Sequence, residues 1–148
     1  MKRMLIVVML VLVSMVTPRS AVGQSSPAEI AILKKKAAAG DASAQYSLGD
    51  MYSNGKGVPE NKTEAVKWYR LAAAQGNASA QYNLGVMYSS GEGVPEDYVQ
   101  AYKWYNLAAA AGDTRAVKNK NRVAEKMTKE QIVEAQRRST AFKPTKTP

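Results

Sequence analysis

The 148-residue chain contains neither histidine nor cysteine. That removes the commonest general base and metal ligand, the thiolate nucleophile and any zinc-finger spacing. Chemistry would have to rest on carboxylates and glycine-rich turns. The carboxylates Glu60, Glu64, Glu96 and Asp97 recur at equivalent places, near points where a helix start needs acceptors for its free N–H groups; capping explains them better than a paired acid/base site. Gly55 with Gly57, and Gly91 with Gly93, superficially resemble a phosphate cradle. No third glycine or Lys-Ser/Thr follows and no strand precedes, so they read as turn residues. The expectation is a chain that is not an enzyme, with no catalytic residue, no cofactor and no metal.

Other polar residues have the spacing of a surface that holds something. Ser43, Ser47, Asp50 and Asn54 step along the chain by three and four, and so do Ser79, Asn83, Val86 and Ser90. On a helix such positions form one stripe. These eight residues are the candidate partner-binding surface, set against the plainer reading that the stripe is simply solvated. A second stripe, Lys62/Tyr98, Val66/Tyr102 and Arg70/Asn106, carries two tyrosines and reads best as a contact with the C-terminal part of the chain.

The elements that position these residues come from a tandem repeat. Asp41–Gly76 lies over Asn77–Gly112 without a gap, and two thirds of the paired positions hold the same residue. Each copy reads as two helices. The first spans about Ala42 to Ser53, or Ala78 to Ser89, with Asp41 or Asn77 as N-cap. The second starts after Asn61 or Asp97, where Glu64 and Gln100 three residues on suggest capping boxes, and ends at Gly76 or Gly112. Between them GKGVPE or GEGVPE stops the first helix at a proline. Ala44, Leu48, Met51 and Tyr52 share one side of the first helix, and Ala65, Trp68, Tyr69, Ala72 and Ala73 one side of the second. Trp68 and Trp104 are bulkier than one hairpin can cover, which implies stacking.

Half-units flank the copies. Ile30 to Gly40 matches the end of a second helix. Asp113 begins like a first helix and turns basic, and Thr128 with Gln131 opens a last helix running to about Ala141. Atypical polar ends are what a solenoid needs at its termini.

AQYSLGDMYSNGKGVPENKTEAVKWYRLAAAQG and AQYNLGVMYSSGEGVPEDYVQAYKWYNLAAAAG resemble the Sel1-like repeat, a relative of the tetratricopeptide repeat; MTKEQIVEAQ is similar to the end cap that follows such repeats. The resemblance implies an all-α, right-handed α/α superhelical solenoid of helical hairpins serving as adaptor or scaffold, with first helices on the concave face. Exported bacterial members are tied to envelope signalling, secretion or host contact, and some cysteine-rich ones to β-lactam binding or hydrolysis. The domain reading is signal peptide 1–23, N-terminal capping helix 24–40, repeats 41–76 and 77–112, basic capping helices 113–141 and a disordered tail 142–148.

The signal peptide rests on Lys2 and Arg3, the apolar run Met4 to Val16, and small Ala21 and Gly23; the run is short of the roughly 20 residues that span a bilayer. Cleavage near Gly23/Gln24 would deliver a periplasmic or secreted protein. The formal charge of +9 is unevenly placed: Asp41–Gly112 holds 5 basic and 7 acidic residues, Asp113–Pro148 holds 10 basic and 4 acidic. Lys118, Lys120, Arg122, Lys126, Lys129, Arg137 and Arg138 lack interleaved aromatic residues for base stacking, so nucleic acid is not the expected partner. The leading reading is an exported module that binds a protein partner. Its alternatives are a β-lactam-binding or hydrolysing envelope enzyme and an envelope-surface binder acting through the basic cap. Membrane contact would come only through the signal peptide or that cap, and two full repeats are few enough to leave self-association open.

Overall fold

The computed structural model describes residues 25–145; the stretch read as a signal peptide and residues 146–148 lie outside them. All regular structure among the described residues is helical: α1 (Pro27–Ala38), α2 (Ala42–Asn54), α3 (Lys62–Ala74), α4 (Ala78–Ser90), α5 (Tyr98–Ala110), α6 (Thr114–Ala124) and α7 (Lys129–Thr140). Successive helices from α1 to α6 pack on one another, and α7 returns to pack on α5. The first helices also meet side by side, α2 with α4 and α4 with α6. The architecture is the all-α solenoid of hairpins that the repeat implies.

Two glycines per hairpin shape it. Gly49 in α2 and Gly85 in α4 lie under the rings of Tyr69 and Tyr105, so close that a Cβ on either would stand 2.5 Å from ring carbons. Gly55 and Gly91 end α2 and α4 in the left-handed region, at φ 64° and 72°, with their N–H groups donating to the carbonyls of Met51 and Met87. An L side chain is strained there. The connection then folds back, and the backbone N–H of Asn61 donates to Tyr52 O at 2.8 Å, that of Asp97 to Tyr88 O at 2.9 Å.

That return bond corrects one expectation. Asn61 and Asp97 do cap α3 and α5, accepting from the N–H groups of Glu64 and Gln100. The reciprocal half of a capping box does not form, because the cap's own N–H is already given to the preceding helix. Complete boxes occur at Thr128 with Gln131, as expected, and at Ser26 with Glu29, which the sequence reading passed over.

The core divides in two. One cluster runs from α3 to α7 through Tyr69, Leu84, Trp104, Tyr105, Ala116, Val123 and Ala135. A smaller one lies under α1, built from Ala37, Ala44, Leu48 and Met51, with Ile30, Leu33, Val58 and Trp68 packed against it. Buried Gln45 and Gln81 tie each first helix to the helix before it, donating through Nε2 to Ala37 O and Ala73 O. Phe142, read from sequence as the start of the tail, stands edge-on to Trp104 with ring centroids 5.9 Å apart. Thr145 N–H donates to Ala74 O at 2.8 Å, so residues 142–145 lie against the repeats.

Candidate functional site

The groove between α2 and α4 opens into a cavity of about 280 Å³. Its floor is a hydrogen-bonded group around Asp50: the Tyr69 hydroxyl donates to Asp50 Oδ1 at 2.6 Å, and Asn83 Nδ2 donates to the same oxygen at 3.2 Å. Helical spacing places Asp50 one turn beyond Tyr46, and Tyr69 arrives from α3 across Gly49. Ser53, Asn54, Val86, Met87 and Glu92 complete the wall. Burial and the Asp50 carboxylate push Tyr46 up from its ordinary value, and the same two causes act more strongly on Tyr69. Both hydroxyls therefore stay protonated and able to donate at any physiological pH.

A second cavity, of about 300 Å³, lies between α4 and α6. Tyr82, Ser89, Tyr105 and Asn119 line it, and each stands one repeat beyond Tyr46, Ser53, Tyr69 and Asn83 of the first. The hydrogen bonds differ: Ser89 Oγ meets the Tyr105 hydroxyl at 3.2 Å, and Asn119 Nδ2 donates to the Tyr82 hydroxyl at 3.2 Å. Val86 replaces Asp50, so no carboxylate reaches this floor. Arg122 and Lys126 line it instead, with Tyr98 and Val123. Arg122 has no carboxylate within ion-pair distance among the described residues, and Lys126 only approaches Tyr98, at 3.5 Å from its hydroxyl and 5.3 Å from its ring centroid. Burial raises Tyr105 as well.

Of the eight stripe residues, the structure brings Asp50, Asn54, Asn83 and Val86 to the first cavity. The other four stand apart from it. Ser47 Oγ donates back to Ser43 O, Ser90 Oγ to Met87 O, and Ser79 is half-buried at the start of α4. Sequence reasoning missed the tyrosines at the floor, because identity between the copies marked Tyr46, Tyr82, Tyr69 and Tyr105 as framework. The usable signal for Tyr69 and Tyr105 was the recurring glycine, Gly49 or Gly85, five residues before the end of each first helix, but it was read only as packing.

Elsewhere the structure follows the sequence more closely. Tyr102 is buried, accepting from Gln136 Nε2 at 3.4 Å with Lys120 over its ring, so the tyrosine stripe of α5 meets the C-terminal helices. Part of the basic cap is engaged at the surface: Arg115 lies 4.2 Å from the Tyr82 ring centroid, and Arg137 and Arg138 both pair with Glu134. Among the described residues no group of histidine, cysteine, aspartate or glutamate is arranged to hold a metal, and no helix is long and apolar enough to cross a membrane.

The family model of the Sel1 repeat matches residues 42–77 and 78–113. The two units are Sel1 repeats. Solved structures resemble most of the arrangement. A protective antigen present in uropathogenic Escherichia coli strains, displaying an SLR fold, is 36% identical with a TM-score of 0.74, covering 77% of this chain and 25% of that one. A Sel1 repeat protein from Oxalobacter formigenes is 43% identical with a TM-score of 0.60, covering 61% of this chain and 26% of that one. The chain thus spans about a quarter of the length of either structure. No curated protein matches it significantly. The Sel1 repeat fold is typically a non-catalytic scaffold that commonly mediates protein–protein interaction.

Proposed function

We propose that this chain is an exported adaptor whose Sel1 repeats present the groove between their first helices to a protein partner, in envelope signalling or host contact. The observation that carries the reading is the pair of equivalent cavities along α2, α4 and α6, each floored by hydroxyl and amide groups. A rigid groove of this kind loses little ordering entropy on binding. Export rests on the N-terminal sequence, and the chain's similarity to a protective antigen of uropathogenic Escherichia coli supports it.

The test is capture with the mature chain from the native envelope, followed by mass spectrometry. The expected result is a partner retained by the native chain and weakened by the double substitution Asp50→Asn with Asn83→Ala, the variant being folded by circular dichroism. Undiminished capture by the folded double variant overturns the groove assignment.

A further inference from the structure

The two cavities share a plan and differ in charge. Tyr46, Ser53, Tyr69 and Asn83 recur one repeat later as Tyr82, Ser89, Tyr105 and Asn119, so both cradles offer the same hydroxyl and amide groups. Charge enters at the positions that vary. The first cradle holds Asp50 and Glu92; Glu92 is already paired with Lys62 Nζ at 3.6 Å, so Asp50 is its carboxylate without an ion pair among the described residues. The second is lined by Arg122 and Lys126 and by no carboxylate. Val86 is a wall of both, so the cradles adjoin.

We infer that the groove reads an extended segment of a partner protein that carries a cationic side chain and, a few residues away, a carboxylate. The Lys or Arg enters the cradle of Asp50 and the Asp or Glu enters the cradle of Arg122 and Lys126. This rests on the groove reading above and adds the chemistry of its occupant. Charge complementarity sets which side chain goes where. Packed helices stand about 8–10 Å apart and an extended strand advances about 3.3 Å per residue, so the two charges sit about two to three residues apart. Asp50 already accepts from Tyr69 and Asn83, which holds its carboxylate in place before the ligand arrives. Arg122 carries no competing ion pair among the described residues, so an incoming carboxylate displaces nothing.

The experiment is fluorescence anisotropy on the full mature chain. The probes are short fluorescein-labelled Ser/Ala peptides carrying one Lys and one Glu in either order and at varied spacing, with Lys-only, Glu-only and uncharged peptides alongside. One order and spacing should bind about tenfold tighter than either single-charge peptide. Asp50→Asn should remove the advantage of Lys and keep that of Glu; Arg122→Gln with Lys126→Gln should do the reverse. Equal binding of all peptides, or a Lys advantage that survives Asp50→Asn, overturns the inference. So does a dimer of the chain, in the ultracentrifuge, that the same substitutions dissociate, since the occupant is then a second copy. Charge-blind peptides together with capture that still depends on Asp50 and Asn83 sink the two-charge occupant and leave the groove reading standing. Capture that ignores those residues removes both.

Discussion

Trp68 and Trp104 hold the same place in the two repeats and meet different surroundings. Trp104 is buried at 7% exposure, with Phe142 against its edge and Lys103 Nζ 4.2 Å from its ring centroid. Trp68 remains half-buried beside the smaller core under α1, and its Nε1–H is buried without an acceptor. The shared Lys-Trp-Tyr sequence thus meets unequal packing, because a repeat borrows its covering from its neighbours. Among the described residues, the C-terminal side has α6, α7 and residues 142–145 to lend and the N-terminal side has α1. The molecule is firmer toward its C-terminal end.

The largest effect expected from that difference is in truncation of the tryptophans. Trp104→Ala should cost about 3–5 kcal/mol, the usual range for removing a large buried aromatic side chain. Trp68→Ala should cost less, since part of the ring is already in water and an orphaned N–H, itself a penalty of about 1–3 kcal/mol, goes with it. Urea denaturation of both variants measures the gap. Equal losses would mean the two ends are equally well covered. Phe142→Ala sharpens the point: it should weaken the chain by about 1–2 kcal/mol, as expected for an aromatic edge contact plus its buried area, whereas a truly loose tail would leave stability unchanged.

Next comes the glycine beneath each floor tyrosine. Alanine is the better helix former by about 1 kcal/mol, yet a Cβ at Gly49 or Gly85 would stand 2.5 Å from ring carbons of Tyr69 or Tyr105, and overpacking costs about 1–3 kcal/mol. Gly85→Ala should therefore destabilise by up to about 2 kcal/mol net. Gly49→Ala should do the same and also shift the Tyr69 hydroxyl away from Asp50, which a weakened Lys preference in the peptide assay would report.

Much of this architecture was legible in the sequence, and the illegible part has a physical pattern. Repeat boundaries, caps and turns are local: Asn61 accepting from the Glu64 N–H or Gly55 in the left-handed region follow from a few neighbouring residues. The half-formed boxes were missed because the competing acceptor, Tyr52 O or Tyr88 O, lies across the hairpin. The stripe on α2 and α4 was read from spacing, and Asp50 and Asn83 do meet. Tyr69 and Tyr105, and the cations opposite Tyr105, come from other helices of the stack, and spacing within one first helix carries no record of them. Comparing the two copies also hid residues that serve both, since a side chain kept in each repeat for packing can still turn its hydroxyl to the groove.

Asp50→Asn tests the first cradle's electrostatics apart from any ligand. Tyr69 and Tyr46 are raised by burial first and by Asp50 second. Their folded values lie above the unfolded value of 10.0, so their neutral forms contribute stability that is full below that pH and is lost as pH rises through the folded values. Removing the carboxylate should let both tyrosines ionise at lower pH, still above the free value because burial persists. Absorbance titration of the folded protein resolves the change. An unaltered titration would show that Asp50 does not face these hydroxyls in solution.

The smallest effect belongs to Glu134, at the opposite end from the first cradle. Its carboxyl accepts from Arg137 and Arg138, and these bonds hold its value down to about 2 from 4.5. With the folded value depressed, whatever this group contributes is present above pH 4.5 and disappears as pH falls toward 2. Its exposure to solvent keeps the contribution slight, because exposed pairs gain little over hydration. Glu134→Gln should leave the midpoint of urea unfolding at pH 7 almost unmoved, while a carbon-13 NMR titration of the native chain should still find the Glu134 carboxyl ionised at pH 3. A normal carboxyl titration would mean that Arg137 and Arg138 stay in solvent, free to swell the positive face that the second cradle presents. The slope of Glu-peptide binding against salt would then steepen beyond what Arg122 and Lys126 account for, and the charge difference between the cradles would belong to the whole cap rather than to those two residues.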